Sequence, residues 1–144
     1  WQNPQTPKQL QILQNKAGRV ITGLPWKTPT TEIMERCKWL NIENTIRYQT
    51  MNTLYKMRLE RQPEYLINFM MNKRASTASD IPRHDTVQSW ELQRSFIPRA
   101  SKEWNLIPKE IRELQPKKFK KELRKHLSVK QNEGTDFNFG IYNM

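Results

Sequence analysis

Apolar residues recur along most of this chain with the spacing of helices rather than the alternation of strands. Thr6 stands ahead of Pro7, and Leu10, Leu13, Ala17, Val20, Ile21 and Leu24 share one face up to Gly23, a natural C-terminal glycine. These positions predict a first helix over about 7–22, capped by Thr6. Gly18 inside it costs roughly 1 kcal/mol relative to Ala, which implies close approach of another backbone or a ligand, or else a tolerated weakness. A second helix follows over about 31–40, with Ile33, Met34, Cys37 and Leu40 inward. A third, over about 43–60, gathers Tyr48, Met51, Leu54, Tyr55 and Leu59, while Ile46 and Met57 fall nearly opposite. Pro63 is placed to open a fourth helix holding Tyr65, Leu66, Phe69 and Met70.

The end of the chain carries the strongest pattern. Pro98 and Pro108 are placed to open two short helices whose apolar side is Trp104, Ile107, Ile111 and Leu114. In the last helix Phe119, Leu123 and Leu127 fall within about 80° of one another, and Lys117, Lys118, Lys120, Lys121, Arg124 and Lys125 crowd the remaining arc. Residues 72–94 differ in kind, being polar with only Ile81, Val87, Trp90 and Leu92 as anchors, and predict a long irregular surface connection. The tail alternates Phe137, Phe139 and Ile141 with polar residues, as a docking hook or a disordered end would. The expected fold is all-α: five or six helices in a single domain over 1–131, with a tail over 132–144.

Composition adjusts this picture in two ways. The chain has 144 residues, of which 35% are hydrophobic, against about 45–50% in ordinary domains. The core is therefore expected to be modest and to lean on a partner surface. The net charge of +11 is also unevenly placed. Residues 1–31 hold Lys8, Lys16, Arg19 and Lys27 with no acid, and residues 115–131 hold seven bases against Glu122 alone. Two such concentrations suit a polyanion, because each neutralised phosphate releases condensed counterions; solvated helix faces that aid solubility are the plainer alternative. Trp26, beside Lys27 in a Pro-rich break, either stacks on a nucleobase or plugs the core between helices, and the dominance of large aromatics in cores favours packing.

Catalytic chemistry finds little material. The only aspartates are Asp80, Asp85 and Asp136, with no adjacent pair to hold two metal ions. His84, His126 and Cys37 lack metal-ligand spacing, and Cys37 reads as a small core hydrophobe. His126 reads as solvated or as a supplementary phosphate donor. There is no Gly-rich phosphate loop and no nucleophile motif. No enzyme, metal or cofactor is expected within this segment. No run approaches the roughly 20 apolar residues of a membrane span, so the chain is expected to be intracellular, nuclear or cytoplasmic, and Trp1 at its start suggests a segment of a longer chain.

Two stretches taken together resemble a family. LQILQNKAGRVITGLPWKTPTTEI at 10–33 and SFIPRASKEWNLIPKEIRE at 95–113, closing on FKKELRKHL, are similar to the region that follows the polymerase in non-LTR (LINE-type, Jockey-like) retrotransposon reverse transcriptases. The likeness spans about 10–127, and Gln14, Asn15, Lys16, Ala17, Trp104, Asn105 and Pro108 match its pattern, with no catalytic role attached to them. The family's Tyr/Phe-Ala-Asp-Asp motif and the Cys/His knuckle of some members are missing. The resemblance implies a helical accessory module near a polymerase thumb, handling RNA or an RNA–DNA hybrid beside the upstream polymerase domain. Expected backbone contacts are Lys16, Arg19, Lys27, Lys117, Lys118, Lys120, Lys121, Arg124 and Lys125, with Trp104 and Ala17 as core and Trp26 as the stacking candidate if it does not pack inward. The rival expectation is a retroelement-derived structural or interaction module whose tail meets a protein partner.

Overall fold

A computed structural model of the chain describes residues 5–65, 67 and 96–133, with side chains from Pro7 onward. Of these residues 79% are helical and none forms a strand, so the fold is all-α. The helices are α1 (Gln5–Thr22), α2 (Thr30–Cys37), α3 (Ile42–Glu60), α4 (Phe96–Asn105), α5 (Lys109–Arg112) and α6 (Pro116–Asn132). They group into two units, Trp1–Tyr48 with Leu123–Met144, and Gln49–Glu122, the divisions falling inside α3 and α6. Glu64, Tyr65 and Ile67 carry helical backbone after Pro63, whereas most of the expected fourth helix, the 72–94 connection and the tail beyond Glu133 lie outside the described residues.

Chain geometry explains the helix ends. Gly23 takes φ +66° and its N–H returns to Arg19 O at 2.8 Å, closing α1 as the glycine rule anticipates. The start of α1 at Gln5 places Thr6 inside the helix rather than at its cap. The second helix stops at Cys37, three residues short of the expected Leu40, because Lys38 turns left-handed at φ 54° and Trp39 N bonds to Met34 O. A non-glycine residue in that conformation is uncommon, which is why the pattern did not announce it. Asn41 caps α3 by accepting the Asn44 N–H at 2.7 Å. Pro98 lies in the first turn of α4 and Pro108 immediately before α5, both positions where a missing N–H costs nothing.

In the unit Gln49–Glu122 the core is aromatic. Trp104 and Phe119 are fully buried, and Tyr55 stacks on Phe119 with ring centroids 4.1 Å apart and a 15° tilt. The Tyr55 hydroxyl donates to Leu114 O at 2.6 Å, and the Arg58 guanidinium covers the Trp104 ring at 4.9 Å. Met51, Leu54, Met57, Ile97, Ala100 and Ile107 complete it. Thus α3 buries Met57 and leaves Leu59 exposed, the reverse of the expected arrangement.

In the other unit the surprise is α1. Its expected apolar face lies in solvent: Leu13 is 60% exposed, Val20 84% and Ile21 67%, and Leu10 and Ala17 are exposed as well. Ala17 is therefore not core. The buried side is instead the one holding Gly18, where an added Cβ would run into Ile33 Cγ2 and lie 3.7 Å from both Cys37 Sγ and the Trp39 ring. Around that close approach the amides bond outward. Gln11 accepts from Ile42 N at 2.8 Å, Gln14 donates to Leu40 O at 2.8 Å, Asn15 donates to Thr30 Oγ1 at 3.1 Å, and Arg19 donates to Thr28 O at 3.2 Å. The absence of a side chain at Gly18 together with four directional bonds decides which face turns inward.

Candidate nucleic-acid interface

The helix α6 is built as its pattern requires. Phe119, Leu123 and Leu127 are buried on one row, and Pro116 opens the helix where proline is tolerated. The same i, i+4 row continues to Gln131, which is buried and bonds to Asn41 N at 2.8 Å, Trp39 O at 3.3 Å and Asn44 at 3.4 Å. A search for apolar residues passes over this fourth member, yet its spacing from Leu127 was the available signal.

Lys117, Lys118, Lys120, Lys121, Arg124 and Lys125 are all exposed, across about 160° of the helix surface that begins at Lys120, next to Leu127 of that row, and extends around the far side. Among the described residues no ion pair engages any of them. Three like-charged pairs stand four residues apart, Lys117 with Lys121, Lys121 with Lys125 and Lys120 with Arg124, each costing about 0.2–0.5 kcal/mol. Lys117 and Lys118 also occupy the first turn of α6, which contains no acid. Cations there oppose the positive end of the helix dipole. The helix gains nothing from this placement, so its stability does not account for the pattern. Arg124 is partly committed, one Nη2 donating to Lys38 O at 3.3 Å at the C-terminal end of α2. His126 is half-buried and its pKa lies below the usual 6.5, first because burial penalises the cation and then because Lys130 repels it, with Glu133 opposing. Burial and Lys130 therefore disfavour the cationic form of the imidazole, and the ring is only partly solvated.

The second expected cluster belongs to α1 and the loop after it. Lys16 and Lys27 are exposed, and Lys27 Nζ stands 5.6 Å from the centroid of the Trp26 ring. Trp26 is 77% exposed, so it does not plug the core. Arg19 braces this loop through Thr28 O and is itself half-buried, which withdraws part of its guanidinium from any ligand. Gln14 and Asn15, two residues of the family-like pattern, are occupied in holding α1 in place. Trp104, another, is core as expected.

Among the described residues no group of three or more His, Cys, Asp or Glu side chains is placed to hold a metal ion, and no helix is long and apolar enough to cross a membrane. Comparison with protein-family profiles, curated proteins and solved structures finds no match for the chain.

Proposed function

We propose that the chain is a non-catalytic accessory segment of a retroelement reverse transcriptase that grips the sugar–phosphate backbone of RNA, alone or in an RNA–DNA hybrid, through α6. The observation that carries this reading is the fan of six exposed bases on one helix, two of them in a first turn where they weaken the helix. Phosphate contacts of this kind set register without reading sequence. Exposed Trp26, with Lys27 beside it, adds a platform on which an unpaired base stacks. The resemblance of 10–33 and 95–113 to post-polymerase regions of non-LTR retrotransposons supplies the biological setting.

Fluorescence-anisotropy titration with a short single-stranded RNA at several salt concentrations tests it. Six contacts give a slope of log affinity against log salt of about −4, and replacing Lys117, Lys118, Lys120 and Lys121 by Gln lowers its magnitude to about 1.5. Weak, equal binding by both proteins with a slope near zero refutes the reading. A second reading, a retroelement-derived interaction module, is favoured by the exposed aliphatic stripe of α1, which backbone phosphates have no use for.

A further inference from the structure

We propose that Lys38, the left-handed residue that ends α2, joins Arg124 of α6 in holding one phosphate of the RNA backbone. The inference rests on the reading of α6 above and adds to it a cation that no helical pattern contains. Lys38 and Arg124 stand 86 residues apart in the chain, yet Arg124 Nη2 donates to Lys38 O at 3.3 Å. Both residues are exposed, and both belong to the same unit.

Three observations carry it. The first is the backbone. Lys38 holds φ 54° and ψ 38°, and its N–H returns to Glu35 O and Met34 O. Helices commonly end on a residue in this conformation, but that residue is usually glycine, because a Cβ is strained there. The helix α1 follows the rule with Gly23 at φ +66°, and α2 departs from it. A strained side chain standing where glycine would serve points to a use for that side chain. The second is distance. A Cα lies about 2.4 Å from its own carbonyl oxygen, so Lys38 Cα is at most about 6 Å from Arg124 Nη2. The four-carbon stem of lysine covers that span, which lets its ammonium meet a phosphate that the guanidinium also holds. The third is Arg124 itself. Its bond to Lys38 O occupies one N–H and leaves the others of the planar fork for phosphate oxygens. Among the described residues no ion pair engages Lys38 or Arg124. A cation at a helix C-terminus also suits the helix dipole, but Arg36 already stands in the last turn of α2.

The test repeats the RNA titration on the 144-residue chain with Lys38→Gln, Lys38→Gly, Arg124→Gln and the double Gln variant, each with a thermal midpoint. Every single variant is expected to bind several-fold more weakly while its salt slope stays near that of the unchanged chain, because the partner cation still neutralises the phosphate. Only the double variant lowers the magnitude of the slope, by about 0.7, one phosphate's worth. Lys38→Gly leaves the midpoint unchanged or raises it, since glycine relieves the backbone. Full affinity in both Lys38 variants overturns this inference and leaves the α6 reading standing, whereas no binding by the unchanged chain overturns both. A slope lowered by about 0.7 in Lys38→Gln or Arg124→Gln alone gives that cation a phosphate of its own and overturns the shared site. A fall in the midpoint of Lys38→Gly assigns the lysine to ending the helix and overturns it as well.

Discussion

Helices α1 and α6 announce themselves in the same way, by apolar residues at helical spacing with bases opposite, and they use that pattern in opposite ways. In α6 the apolar row Phe119–Leu123–Leu127 is buried and the bases face solvent. In α1 the apolar row faces solvent, and a glycine with four hydrogen-bonding side chains faces inward. Periodicity therefore identifies that a helix has two faces. Which face is inside depends on what the neighbouring segment offers, and α2 with the turn after it offers a fully buried Ile33 needing a gap, along with backbone groups needing partners.

The contrast is sharpest in truncation. Phe119→Ala on α6 is expected to cost about 3–5 kcal/mol in urea unfolding, while Leu13→Ala or Val20→Ala on α1 changes stability by no more than about 0.5 kcal/mol. Comparable losses at the two helices would break the comparison. Next in size is Gly18→Val, expected to cost about 2–3 kcal/mol because Ile33, fully buried, has nowhere to move. Even Gly18→Ala destabilises, although helix propensity alone predicts a gain of about 1 kcal/mol; a gain in thermal midpoint would show that the close approach yields. Gln131→Leu extends the apolar row of α6 but strands the Asn41 N–H, for an expected loss of about 1–2 kcal/mol. Stabilisation by Leu would mean that α6 is governed by apolar burial along its whole length.

The smallest effect belongs to His126. Its folded pKa is depressed by burial and by Lys130, so the unfolded chain takes up a proton first as pH falls through 6.5. Stability is fully present above that pH, declines below it, and levels off once the folded imidazole is also protonated. Thermal midpoints measured from pH 8 to 5 should show this decline, and His126→Gln should flatten it; an unaltered profile would place the titration elsewhere.

Much of the architecture was legible because its determinants are local and apolar. The span of α3, the row of α6, the burial of Trp104 and the terminating role of Gly23 all follow from spacing or from one residue's backbone freedom. The exposure of five of the six α6 bases was legible as well, since each lies about 60° or more around the helix from the buried apolar row; Lys120, beside Leu127 on the helical projection, is the exception. What escaped is carried by polar side chains acting at a distance. Gln11, Gln14 and Gln131 have no periodic signature, and their bonds reach 31, 26 and 90 residues along the chain. The weighting of Trp26 toward packing failed for a related reason: the loop that displays it is held by bonds from Arg19 to Thr28 O and from Thr28 N to Pro25 O, which no count of aromatic residues contains.

The way α1 is held also sets its thermodynamic character. A helix fastened by directional bonds, with most of its aliphatic surface already in water, exposes little new apolar area when it lifts from α2, chiefly Ile33 and the edge of Trp39. Its detachment therefore carries a small heat capacity and a weak denaturant dependence. Warming loosens it by enthalpy while cooling scarcely does. Along α1, amide exchange follows temperature far more steeply than it follows urea.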